Sequence, residues 1–221
     1  MISKEEVETF RLPSAYLEWF EGLLLRIRED PDLKEPARRH EGFFKNFYEE
    51  MFPLRSLLKV KGDKWKLSEF KNVFGSQAYD VEIRNNELKY LEVVITDFDD
   101  GELFRLKHLS ERKSVDAIAP IIRNARGRPV GFENEGGTRL RSQLVDEVLT
   151  TVGYRLRRKV EISYPKRTGL VIYIDDYKFD FDPDNQPGFS SLLNSTKGDW
   201  KRVFETVFVV GPRAESWIEM S

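Results

Sequence analysis

Between Ala78 and Ile95 the chain carries two alternating apolar–polar segments on either side of Asn85-Asn86. That pattern constrains the fold more than any other, because it suits an antiparallel hairpin with one face in a core. Tyr79, Val81 and Ile83 are the apolar set of the first segment, and Leu91, Val93 and Ile95 that of the second. Side chains alternate across a strand, so a one-residue slip would send a whole apolar set into water. Odd positions must therefore pair with odd and even with even. A three-residue loop, Asn85-Asn86-Glu87, meets this condition, placing Arg84 opposite Leu88 and Asp80 opposite Glu92. Like charges directly opposed destabilise a strand pair. The hairpin thus calls for a compensating partner at Asp80 and Glu92: a nearby Arg or Lys, exposure to water, or a divalent cation.

Helical periodicity dominates the chain before this hairpin. Ser14 is placed to cap a helix running to about Asp30, with Leu17, Phe20, Leu24 and Ile27 on one stripe. Glu35-Pro36 opens a second helix with Phe43, Phe44, Phe47, Tyr48 and Met51 inward, interrupted at Pro53. A shorter helix follows through Leu54, Leu57 and Leu58, and short strands begin at Trp65-Lys66-Leu67. After the hairpin, Gly101 to Lys113 reads as a helix and Asn124 to Gly137 as loop or weak strand. Thr138 caps a long helix to about Lys159, with Leu140, Leu144, Val148 and Val152 inward. Leu170 to Ile174 is an apolar run typical of a strand covered on both faces, and Thr206 to Val210 reads as a last strand closed by Gly211-Pro212. The expected architecture is α/β of the α+β kind, with a mixed central sheet flanked by helices. It forms one domain over residues 1–221, a helical segment over 1–60 preceding an α/β core over 61–211.

Sixteen Phe, eight Tyr and four Trp supply large buried areas for one substantial core. The absence of cysteine excludes disulfides, thiolate metal sites and cysteine nucleophiles. No apolar run approaches the ~20 residues of a membrane-spanning helix, and Met1 to Glu6 is too acidic for a signal peptide. A cytoplasmic protein with no membrane partner is expected. The net charge of −2 hides an asymmetry: between Arg105 and Arg167 there are 15 Lys and Arg against seven Asp and Glu. A basic middle on an acidic chain suits a polyanionic partner.

Asp80, a hairpin, Glu92 on the next strand, a helix and then the buried strand at Leu170 to Ile174 together resemble the PD-(D/E)xK nuclease superfamily. The resemblance covers roughly Glu41 to Asp176. The chain is also similar to a group of uncharacterised bacterial proteins with a like Asp strand, Glu-Val strand and Tyr-Pro ahead of an Ile-Asp-Asp strand. The resemblance implies a restriction-endonuclease-like core in which Asp80 and Glu92 hold Mg²⁺, which activates water toward a phosphodiester. The superfamily usually places a Lys two residues after the Glu. Val94 stands there in this chain. Lys107, an Arg of the long helix, Gln143 or Glu82 would then have to assist.

Other residues mark nucleic-acid contacts. Arg126-Gly127-Arg128-Pro129 matches the core of an AT-hook, whose extended Arg-Gly-Arg fits a narrow minor groove, although a surface turn accounts for the same four residues. Arg139, Arg141, Arg155, Arg158 and Lys159 on the long helix suit phosphate contacts. Asp180-x-Asp182-x-Asp184 starts like a calcium loop but lacks its Gly and its final Glu. His40 and His108, the only histidines, do not make a zinc site. Three functions are compatible with these features: a Mg²⁺-dependent nuclease, a non-catalytic module binding nucleic acid or protein on the same fold, and a structural assembly subunit. None of them sets an oligomeric state.

Overall fold

The computed structural model describes residues 2–96, 121–126, 128–132, 141–174, 186–212 and 217–221. Its frame is a six-stranded mixed sheet with helices on both faces. The strands are β1 (Glu69–Asn72), β2 (Val81–Arg84), β3 (Tyr90–Ile95), β6 (Thr168–Tyr173), β7 (Thr206–Val210) and β8 (Trp217–Met220), adjacent in that order. β3, β6 and β7 run parallel, and the flanking pairs are antiparallel. A separate two-stranded ribbon joins β4 (Ile121–Arg123) to β5 (Pro129–Phe132).

The hairpin has the register that side-chain period requires. Val81 pairs with Leu91 and Glu82 with Tyr90, and the Asp80 N–H bonds the Leu91 carbonyl at 2.9 Å. Val81, Ile83, Leu91 and Val93 all enter one core cluster, while Val94 enters the other. Tyr79 and Ile95 are the exceptions. Tyr79 precedes the regular strand and packs on Tyr90, their ring centres 4.3 Å apart, and half-buried Ile95 ends β3 beside a cleft.

The N-terminal helices α1 (Lys4–Val7), α2 (Pro13–Glu29) and α3 (Pro31–Arg38) are followed by a continuous helical stretch. That stretch is α over Phe43–Asn46 (α4), π over Phe47–Met51 and α again over Phe52–Lys61 (α5). α2 starts two residues earlier than expected, with Pro13 in its first turn and Ser14 inside it, and Leu12 rather than Ser14 occupies the cap. Its buried stripe is Tyr16, Phe20, Leu23 and Ile27, with Leu17 and Leu24 at the margins. Pro53 does not interrupt the helix as expected. The turn ahead of it widens, and the Phe52 N–H reaches the Phe47 carbonyl five residues back. That widening accommodates a residue with no N–H and a ring that would otherwise strike the carbonyl four residues earlier.

The second face is covered by α6 (Arg141–Val160), α7 (Gln186–Ser195) and α8 (Lys197–Trp200). Val152, Leu156, Phe189, Leu193 and Trp200 pack there on Leu170, Ile172 and Ile174, whereas Val171 belongs to the first face. β6 is therefore the doubly covered strand its composition implied. Thr206 to Val210 is not the last strand: β8 adds to its edge, beyond the expected end of the core at residue 211. Lys61 of α5, 3% exposed, anchors β8 through a 2.7 Å ion pair with Glu219 and lies over the Trp217 ring. The expected helix at Gly101 to Lys113 lies outside the described residues.

Candidate functional site

Where β2 begins and β3 passes it, a cleft of 570 Å³ opens between the sheet, the π turn and the end of α6. Asp80, Glu92, Glu49 and Glu50 line it from the sheet and the π turn, and Arg155, Arg158 and Lys159, with Glu161 just beyond them, from the end of α6. Each group arrives by a different route. Asp80 sits just ahead of β2, where its Oδ2 accepts a 2.8 Å bond from the Val93 N–H. Glu92, an even residue of β3, points to the face opposite Leu91 and Val93 and is buried. Glu49 and Glu50 come from the widened turn, and such turns concentrate at functional positions. Lys159 is the penultimate residue of α6, and its Nζ donates to Glu92 Oε1 in a part-buried ion pair.

The carboxylates oppose one another. Burial first, then the Glu92 charge, pushes Asp80 up to about 7, against the pull of the Val93 N–H and Lys159. Burial, followed by the Asp80 charge, raises Glu50 to about 9. Burial also raises Glu92, with Lys159 and then Tyr164 pulling it back. Glu50 Oε2 is buried without a hydrogen-bond partner. Of these four carboxylates only Glu92 has a cation within ion-pairing distance among the described residues.

Such a cluster makes stability fall with rising pH. Asp80 and Glu50 hold protons in the folded protein at pH values where the unfolded chain has released them. Their contribution is present below the ordinary carboxylate range and is lost as pH rises through about 7 and then about 9. His40, which burial pushes down to about 4, acts oppositely, losing its contribution only as pH falls below its ordinary 6.5. Between about pH 6.5 and about pH 9 the carboxylates therefore act alone. In EDTA the melting temperature should drop across that window by on the order of 5 °C. Glu50→Gln should flatten the drop, because Asp80 has released its proton near the lower edge of the window while Glu50 holds its own to about 9. An unchanged drop in that variant would remove Glu50 as its source.

The remaining candidates are dispersed. Gln143 is exposed in the first turn of α6, roughly 24 Å along the helix axis from Lys159 at 1.5 Å per residue, and does not line the cleft. Glu82 is held by Lys71 of β1 at 2.6 Å. Arg126 and Arg128 occupy a turn, not an extended strap: both backbone N–H groups bond Asn124 Oδ1, at 2.9 and 3.1 Å, as Asx turns do. Arg141 opens α6, far from its C-terminal cleft. Arg155 and Arg158 alone of the six expected phosphate-binding arginines line the cleft among the described residues. Lys107, His108, Arg139 and the aspartates at positions 175–184 lie outside the described residues. Reading the sequence missed Glu49 and Glu50, which stood hidden as the polar positions of an aromatic-rich helix. Lys159 belongs to the basic run expected to contact phosphate, but its place beside Glu92 was not legible there.

The donor chemistry, oxygen ligands in mutual repulsion, suits a hard divalent cation. Among the described residues no group of three or more His, Asp or Glu side chains is arranged to hold a metal ion. Compared with protein-family models, with curated proteins and with solved structures, the chain matches none.

Proposed function

We propose that this cleft is the site of a divalent-cation-dependent phosphodiesterase acting on nucleic acid, on a restriction-endonuclease-like core of the PD-(D/E)xK type. The observation that carries the reading is the meeting of Asp80, Glu92 and Lys159 in one cleft rimmed by Arg155 and Arg158. Mg²⁺ is often held by one or two carboxylates, with water and phosphate oxygens completing its shell. Asp80 and Glu92 are the two that would hold it. When bound, the cation would neutralise phosphate charge and lower the pKa of water. Arg155 and Arg158 hold phosphates on either side of the scissile one. Water adds at phosphorus, one P–O ester bond breaks, and the leaving oxygen takes a proton from solvent.

The test is calorimetric titration of Mn²⁺ and Mg²⁺ into the whole chain, followed by incubation with labelled single- and double-stranded DNA and RNA in Mg²⁺ or EDTA. Saturable binding that Asp80→Asn abolishes, with cleavage only in Mg²⁺, supports the reading. No cation binding in the folded wild type, even with nucleic acid present, overturns it. Nucleic-acid binding that persists in EDTA and weakens steeply with salt would instead identify a non-catalytic binding module, a function consistent with Val94 at the usual lysine position.

A further inference from the structure

Lys159 occupies the carboxylate that a cation in this cleft would need. Its Nζ bonds Glu92 Oε1, and the pair is part-buried, with 23% of the lysine side chain and 8% of the glutamate exposed. The strand itself offers no cation here, because Val94 is buried in the second core cluster. We propose that Lys159 is a displaceable counterion, bound to Glu92 while the cleft lacks a divalent cation and released toward the substrate phosphate when Glu92 becomes a ligand. This rests on the reading above and adds an exchange to it.

Three features favour exchange over a fixed structural pair. First, the residue is a lysine. Its ammonium is a compact, strongly hydrated charge on a flexible four-carbon stem, whereas an arginine would clamp the carboxylate with two parallel bonds. Second, Lys159 lies at the end of α6 and is part-exposed, so the ammonium can swing into the cleft without moving the helix. Third, an alternative partner is already in place: Asp80 feels the Lys159 charge, and Arg155 and Arg158 line the same cleft. One lysine thereby neutralises Glu92 in the cation-free protein and is then available to the charge that develops at phosphorus.

Exchange makes Lys159 and the cation competitors for Glu92, so deleting the ammonium should tighten cation binding while impairing turnover. The measurement is Mn²⁺ affinity by calorimetry for wild type, Lys159→Met, Lys159→Gln, Lys159→Arg and Arg158→Gln, each first confirmed as folded by thermal melting. Lys159→Met and Lys159→Gln should bind Mn²⁺ roughly tenfold more tightly than wild type, the competing ion pair being gone. Lys159→Arg, which retains a cation on Glu92, should bind no more tightly than wild type. Equal or weaker binding in both neutral variants overturns the exchange and leaves the cation site standing. Equal tightening in Arg158→Gln also overturns it, since any lost positive charge would then suffice. A folded wild type that binds no Mn²⁺ overturns the parent reading along with it, so the two failures are distinguishable.

Discussion

Glu92→Ala is expected to abolish Mn²⁺ and Mg²⁺ binding while leaving the melting temperature in EDTA within a few degrees of wild type. The loss of binding follows from the proposed site, which has only Asp80 and Glu92 at its centre. The mild effect on stability follows from electrostatics. Truncating one member of a buried ion pair usually costs about 3–5 kcal/mol, because the other charge is left buried and unpaired. Lys159 escapes that fate: it is part-exposed and already within reach of the Asp80 field. Asp80 simultaneously loses the neighbour that, after burial, does most to raise it. The two gains offset the lost pair. Calorimetry and thermal melting on one preparation decide the matter. Wild-type affinity in the variant removes Glu92 from the site, and a large loss of melting temperature refutes the offset.

Phe47→Ala should be the most destabilising truncation on the first face of the sheet, at about 4 kcal/mol, or a melting temperature lower by about 10 °C. Phe47 is fully buried. Its ring stacks on Phe20 of α2 with centroids 5.1 Å apart and planes within 4°, and it meets Tyr48 and Phe52 edge to face. Removing it deletes these ring contacts and leaves a cavity between α2 and the π turn. The same turn carries Glu49 and Glu50 into the cleft. The variant should therefore also weaken the pH dependence of stability that Glu50 supports. Phe47→Leu should lose much less, and a loss for Phe47→Ala below about 1 kcal/mol would show that the helices close over the gap.

Much of the sheet is legible locally. β3, β6 and β7 are apolar runs of β-branched residues, and β2 with β3 declares itself by alternation around Asn85-Asn86. Less legible is β8, whose Trp217-Ile218-Glu219-Met220 has no strand-like run of its own and depends on β7 beside it and Lys61 beneath it. The uninterrupted helix through Pro53 was equally hidden. A proline ordinarily ends a helix, and only the packing of Phe47, Met51, Leu54 and Leu57 into one core holds the widened turn together.

The site divides along the same line. From its sequence alone the chain determines that Asp80 and Glu92 lie side by side, because one register buries Val81, Ile83, Leu91 and Val93 together and a slip of one residue would turn one strand's pair away from that core. Which cation meets them was decided by tertiary structure. Lys159 lies 67 residues from Glu92 in the chain. It reaches the carboxylate because β6 docks parallel to β3 and because Val152 and Leu156 seat α6 against Ile172 and Ile174. Local periodicity records which face of a helix is apolar. It does not record which strand that face will meet, or where along the strand the helix end will fall.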